Sequence, residues 1–520
     1  MATANTPSQR RLADALQALK TLQDQARHVL RSDDFSRLER EALLRAGYLR
    51  PIIKGWYMPS RPDEQDGDST AWYACANDFV ARYAEERFAD RWCVSADHSI
   101  RVHVGNTSLP PQLVLNAPEG QNSVISLPAG HSILDYRAKD FPQAHHRTMV
   151  AGLRVMTLEH ALTRVSESFF RTYARDAQIA LLGMRDTSEL VRQLLDGGRS
   201  VVAGRLAGAL RACGQDDLAD HVVGTMRGMG HAVVETNPFA DPVPALGTVR
   251  GESPYVTRLR LMWAAMRDEV IASFPAEPGL PADTAAYMAA VRDTYVRDAY
   301  NSLSIEGYRV TNALIERVAS GNWDPQHTQA DQMSKDAMAA RGYFLARQHV
   351  ERSIQKILQG ENAGRVVAQD HRQWFRELFA PSVDAKLLKP SDLAGYRAHQ
   401  VFIRNAAHVP PPNEAVRDMM PALFELLESE PHAAARAVLG HFGFVFTHPY
   451  RDGNGRIGRF FMNAMLASGG YPWTVIEVAH RPHYMQALNA ASSEGDIGPL
   501  ARFVASSLRH EVERGAGKTG

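Results

Sequence analysis

The chain has 520 residues, long enough for two or three domains with cores of their own, and Lys plus Arg equal Asp plus Glu at 58 each, so no global field favours nucleic acid or a membrane. Cys75, Cys93 and Cys213 have no paired or CxxC spacing, and the 20 histidines form no HExxH-like pattern, which argues for a reducing compartment and against structural zinc. The first eleven residues are polar and no run of 18 apolar residues exists, so the expectation is a soluble, cytoplasmic protein with no membrane partner.

In chain order, Leu12, Leu16, Leu19 and Leu22, then Leu38, Leu43 and Leu44, predict two short helices. Leu49 to Pro59 reads as a strand, a turn at Gly55 and an aromatic strand through Trp56 and Tyr57. That order is the plan of a winged helix over residues 1–65, and the Gly-Trp-Tyr wing resembles the N-terminal domain of AbiEi-type antitoxins. Residues 1–60 hold ten Lys/Arg against six Asp/Glu. This bias permits phosphate contacts without requiring them, and leaves two readings open: DNA through the winged helix, or protein contacts, a homodimer among them.

Short β-like runs at Val102-His103-Val104, Gln112 to Leu115 and Ser123 to Leu127, punctuated by Gly, Pro and Asn, predict a small α/β domain within 70–236. His145-His146 reads as a solvated loop rather than a metal site. Leu153 to Leu162 resembles a strand and helix of the same antitoxin family, and Gly204 to Leu210 opens a helical stretch. The Pro- and Gly-rich residues 237–255 are the best linker. No chemistry is assigned to the middle domain.

The last half, 256–515, carries the chemistry. His448 to Arg459 reads His-Pro-Tyr-Arg-Asp-Gly-Asn-Gly-Arg-Ile-Gly-Arg. Gly453, Asn454 and Gly455 lie between two apolar periodic segments, so they predict a tight turn whose successive N–H groups form an anion nest opening onto a helix N-terminus. Arg456 and Arg459 are three apart and share a helix face, where each can fork onto phosphate oxygens. A carboxylate beside a phosphate nest repels the ligand unless a cation lies between them, so Asp452 is best explained as a Mg²⁺ ligand. His448, at the end of the helix holding Val438, Leu439, Phe442, Val445 and Phe446, is the natural general base.

Taken together these residues resemble the Fic motif, HxFx[D/E]GNGRxxR, with Tyr450 for the usual Phe as the one departure. The resemblance covers about residues 285–510. It implies a protein adenylyltransferase that transfers AMP from ATP to a Ser, Thr or Tyr hydroxyl of a target protein, with Arg456 neutralising the leaving pyrophosphate, Arg459 seating the γ-phosphate and Mg²⁺ on Asp452. Gly453, Asn454 and Gly455 would donate backbone or amide hydrogen bonds to the phosphates.

Three further segments resemble the family. Gly395 to Ile403, closed by Pro410-Pro411-Pro412, looks like a β-hairpin flap in which Val401, Phe402 and Ile403 pair with an extended target segment. Arg481, Tyr484, Ala487 and Leu488 resemble the helix that walls the adenine pocket, which adds Tyr484 to the nucleotide site. Ser302-Leu303-Ser304-Ile305-Glu306-Gly307 matches the [S/T]xxxE[G/N] inhibitory helix, expected here over about 284–307, and implies that Glu306 pairs with Arg459 and blocks the γ-phosphate position.

The expected fold is mainly α: a helical Fic domain with a β-hairpin flap, preceded by a winged helix and a small α/β domain. Two alternatives use the same site, a Fic-type de-AMPylase or transfer from another nucleotide. One of another class is a DNA-binding regulator whose Fic domain senses nucleotide.

Overall fold

The computed structural model describes residues 7–63, 69–244, 252–321, 335–404, 406 and 408–517. Two compact units divide the chain, one comprising Met1–Pro254 with Phe402–Val409 and the other Tyr255–Val401 with Pro410–Gly520. Among the described residues no helix is long and apolar enough to cross a membrane.

The first unit opens with α1 (Pro7–Asp24), β1 (Leu30–Arg31), α2 (Arg37–Arg45), β2 (Leu49–Ile53) and β3 (Trp56–Pro59). The strands form a sheet in the order β1-β3-β2. Helix α2 starts where a reciprocal capping box satisfies two end groups, Glu39 N–H donating to Ser36 Oγ and Ser36 N–H to the Glu39 carboxylate. The expected boundary near 65–70 is not a core boundary. Trp56 packs edge-on against Phe79 of α3 (Thr70–Phe88) at 5.4 Å, and both belong to one apolar cluster with Trp72 and Leu115.

A four-stranded sheet follows, ordered β4-β5-β7-β6 from β4 (Cys93–Val94), β5 (Gln112–Ala117), β6 (Ser123–Ser126) and β7 (Ser132–Arg137). The expected strand at Val102-His103-Val104 is instead the end of α4 (Ala96–His103). The Ser95 side chain accepts from His98 N–H and Asp97 lies in the first turn, so local capping outweighs the β preference of the valines. A hairpin of β8 (Arg147–Val150) and β9 (Leu153–Met156) leads into six helices, α5 (Leu158–Leu162) to α10 (Asp216–Gly228). His145 and His146 close a short 3-10 turn, and His146 stacks on His160 at 4.2 Å.

The second unit is helical. Its elements are α11 (Pro254–Ser273), α12 (Thr284–Asp293), α13 (Tyr295–Ile305), α14 (Asn312–Ala319), α15 (Lys335–Leu358), α16 (Ala363–Asp384), α17 (Asn413–Ser429), α18 (Ala433–Thr447), α19 (Asn454–Ala467), α20 (Arg481–Asn489) and α21 (Gly498–Gly517). Helix α19 is its centre, buried at every position except Gly455. Apart from Asn454, Arg456, Arg459 and Asn463 its side chains are apolar, with Phe460 against Trp374 and Tyr343 and Phe461 against Phe444. Its large apolar side chains contribute roughly 1.5–3 kcal/mol each by leaving water.

The single helix expected over 284–307 is two helices broken at Thr294. The Thr294 hydroxyl donates to Val291 O, and Arg347 donates to the same carbonyl and to Thr294 Oγ1, so the end of α12 is satisfied by side chains. The expected β-hairpin is absent, since no described residue of 394–412 lies in a strand. Prolines 410–412 have no N–H for a ladder, and side chains take the carbonyls instead: Arg397 donates to Pro411 O and Gln400 to Pro410 O at 2.7 Å.

Candidate functional site

Helix α18 ends at His448, whose φ of 51° and ψ of 58° put a non-glycine residue in the left-handed region. Such a conformation costs about 1–2 kcal/mol and needs its surroundings to hold it. The following loop is pinned from inside. Tyr450 is 1% exposed and stacks on Phe375 at 3.8 Å, which anchors the loop, although its buried hydroxyl has no partner among the described residues. The Asn454 amide closes the loop by accepting from Tyr450 N–H and donating to Tyr450 O. Its side chain is therefore committed to the fold, which leaves the backbone N–H, of the two donors expected, for a phosphate contact.

Gly453, at φ 81°, caps α19, and a Cβ there would also press on Phe379 and Leu378. Gly455 has a different reason to be glycine: a Cβ would collide with the Glu306 carboxylate. That carboxylate thus lies over the first turn of α19, where the helix presents unpaired N–H groups to an anion.

Both motif arginines are buried. Arg459 donates from Nε to Ser302 Oγ at 2.9 Å, and from Nη2 to Ser302 O at 3.0 Å and to Glu306 Oε1 at 2.8 Å. Burial would raise the Glu306 carboxyl, but the Arg459 and Arg456 guanidiniums outweigh it and hold the group below its ordinary range. Glu306 caps the end of α13, Gly307 follows at φ 87°, and Arg481 Nε donates to Ile305 O at 2.8 Å, fixing the turn that presents the carboxylate. Arg456 is sandwiched between the rings of Tyr308 and Phe379, 5.1 and 5.2 Å from their centroids, and its Nη2 lies 3.4 Å from Asp452 Oδ1. Its Nε is buried with no partner among the described residues.

His448 Nδ1 lies 3.3 Å from Val445 O. A carbonyl only accepts, so the proton belongs on Nδ1 and the lone pair on Nε2. Burial pushes the imidazole down to about 4, with the Arg397 charge acting the same way against the Val445 hydrogen bond. The group is therefore a neutral base at pH 7.

Asp452 is exposed, and its Oδ1 accepts from Gly453 N–H at 2.6 Å. One solvent-facing carboxylate beside a helix N-terminus suits Mg²⁺, which keeps most of its waters and takes its other ligands from phosphates. Among the described residues no group of three His, Cys, Asp or Glu could hold a metal by itself. Tyr484, on α20, is 2% exposed and bonded to His441 Nε2 at 2.7 Å, so it offers a nucleotide almost no surface. Val401, Phe402 and Ile403 are half-buried and outside any strand. Sequence reasoning gave no role to Tyr308, Phe379 or Arg397. Tyr308 stands two residues past Glu306, the one local signal that it would reach the same loop.

Residues 366–466 match the Fic/DOC family. The chain is similar to the protein adenylyltransferase Fic of Nematostella vectensis, 29% identical over 244 residues, covering 45% of this chain and 52% of that protein. It is likewise 29% identical to the protein adenylyltransferase Fic of Drosophila grimshawi, covering 44% of each. The chain thus spans about half the length of the curated relatives it matches. Among solved structures, C. elegans Fic-1 (aa134–508) aligns with a TM-score of 0.38 at 18% identity, over 69% of this chain and 92% of that one. The span that holds His448, the glycine turn and both buried arginines is a Fic/DOC-family domain.

Proposed function

We propose that the protein is an adenylyltransferase that moves AMP from ATP to a Ser, Thr or Tyr hydroxyl of a target protein, and that Glu306 restrains it. The observation that carries the reading is a neutral, strained His448 beside a glycine-turned helix N-terminus flanked by two buried arginines. The target oxygen attacks the α-phosphorus, the bond from that phosphorus to the pyrophosphate oxygen breaks, and the hydroxyl proton passes to His448 Nε2. Backbone N–H groups at 453–455 hold phosphate oxygens, and Arg456, released from Asp452, meets the charge of the leaving pyrophosphate. Mg²⁺ at Asp452, when bound, would draw charge from the phosphates. Most of the rate then comes from placement and charge, with a single base.

Glu306 is read as inhibitory because its carboxylate both occupies the anion position over Gly455 and holds Arg459, the group that would seat the γ-phosphate. Val401, Phe402 and Ile403 are read as the target-docking segment. The same site could run in the direction of AMP removal, with Glu306 orienting a water.

The test is mass spectrometry of cell extract incubated with the Glu306→Gly protein and ATP carrying a labelled adenosine. A 5′-AMP adduct on protein hydroxyls, absent with His448→Ala, supports transfer. Loss of AMP from premodified protein, faster with wild type than with Glu306→Gly, favours removal. No adduct and no removal would sink the reading.

For the N-terminal module the protein-contact reading is favoured. Arg31 pairs with Glu86, Arg37 with Glu41 and Arg27 with Asp34, while Arg40 donates to Ser32 O, so much of its positive charge is already engaged. Anisotropy with duplex DNA checks this: tight binding at low salt that falls steeply with added salt and requires residues 1–60 would overturn it.

A further inference from the structure

Arg397 is 8% exposed and lies in the loop after α16, with no ion pair among the described residues. A buried guanidinium without a paired carboxylate is expensive, and here main-chain carbonyls hold it, with the Glu414 charge helping from further off. Nε donates to His448 O at 2.9 Å, Nη1 to His399 O at 3.1 Å and Nη2 to Pro411 O. The backbone N–H of the same residue donates to Pro449 O at 2.9 Å. One residue therefore grips the left-handed turn at two successive carbonyls. Its guanidinium also grips both arms of the segment that carries Val401, from 399 on one side and from 411 on the other.

The three carbonyls point at one planar fork, a geometry an ammonium or an apolar side chain does not reproduce. The turn it grips is also the one position in the catalytic loop where a non-glycine residue is held at positive φ. Strain of that kind persists only where contacts over-determine it.

We propose that Arg397 is the positioning residue of the transfer step, registering the His448 imidazole against the arm that runs from His399 to Val401. The proposal rests on the reading of His448 as base and of Val401 as a target-docking residue. Arg397 touches neither nucleotide phosphates nor the hydroxyl. Its loss should slow the chemical step while leaving the nucleotide cradle, built from 453–459, as it was. A misplacement of about 1 Å between base and acceptor costs on the order of 100-fold in rate.

The experiment uses the full chain carrying Glu306→Gly, with labelled ATP and self-modification or the target found above as acceptor. Arg397→Ala and Arg397→Lys are compared with His448→Ala for kcat, for KM of ATP and for melting temperature. The expected result is a kcat lowered roughly 10- to 100-fold with KM for ATP changed by less than about threefold. Partial recovery of the Arg397→Ala rate on adding millimolar guanidinium ion is expected, with none for His448→Ala. If Arg397→Ala does not fold, Arg397→Lys is held to the same split between kcat and KM. Unchanged kcat, or kcat and ATP affinity falling together without guanidinium rescue, overturns the proposal while His448→Ala remains inactive. A fully active His448→Ala overturns the base reading and this proposal with it.

Discussion

Glu306 Oε1 sits 2.8 Å from Arg459 Nη2 and directly over Gly455, so one carboxylate binds the terminal arginine of the motif and covers the first turn of α19. It is a partner for the arginine and, in the function proposed above, a competitor for the arginine's ligand. Stability and activity should therefore respond to it with opposite signs.

Glu306→Gly is expected to raise self-modification on the order of 10-fold or more, within the range typical of coupling between sites, while lowering stability by about 1.5–3 kcal/mol through loss of a charged hydrogen bond. The activity gain should be missing in Glu306→Gly combined with Arg459→Ala, because the freed arginine is its cause. Labelled ATP and a denaturant titration check both halves. Equal self-modification in wild type and Glu306→Gly would return Glu306 to an ordinary helix-end residue.

Gly455→Ala separates space from charge. The added methyl displaces the Glu306 carboxylate, as Glu306→Gly removes it, but it also blocks the approach of any phosphate to the first turn of α19. No activation is expected, and ATP affinity should fall about 10-fold, some 1.4 kcal/mol. Calorimetry of ATP binding in the Glu306→Gly background measures it, and an unchanged affinity would remove Gly455 from the phosphate contact.

The pH dependence follows from burial of His448. The base works when neutral and its folded value is about 4 against an ordinary 6.5. kcat/KM should therefore stay level from pH 7 down to about 5 and decline only as pH approaches 4. A decline centred near 6.5 would mean that His448 is solvated in the working enzyme or that another group limits the rate. The same sign applies to stability: His371, His441 and His448 all have folded values lowered to about 4 by burial. Their contribution is complete above pH 6.5 and is lost as pH falls toward 4, so the melting temperature should drop across that window.

Tyr450→Phe tests the departure from the family motif. The ring stays stacked on Phe375, and the change deletes a buried hydroxyl that has no partner among the described residues. An unsatisfied hydroxyl costs about 1–3 kcal/mol, so the variant should be more stable by about 1 kcal/mol and keep its activity. A destabilised variant in thermal melting would show that the hydroxyl has a partner, such as a water.

The sequence by itself determined the local geometry of 448–459, a glycine turn opening onto a helix. A glycine turn, the helix after it and two arginines three apart depend on backbone preference and helical period, which a short string carries. It also determined that Ser302 and Glu306 share a helix face, the two strands within 49–59, and strands at 112–115 and 123–127, which the structure bounds at Gln112–Ala117 and Ser123–Ser126. It misread Val102–Val104 and 284–307, since Ser95 capping α4 and Arg347 reaching into the Thr294 break depend on side chains whose partners are not visible in a periodicity. It misread the flap, because a ladder needs a partner strand and the arms at 399 and 411 found Arg397 instead. Only the tertiary structure decided that the Asn454 amide is spent on Tyr450, that Arg456 lies between Tyr308 and Phe379, and that Tyr484 is enclosed. Each of these depends on which elements surround α19, and contacts between residues far apart in the chain leave no spacing rule in the sequence.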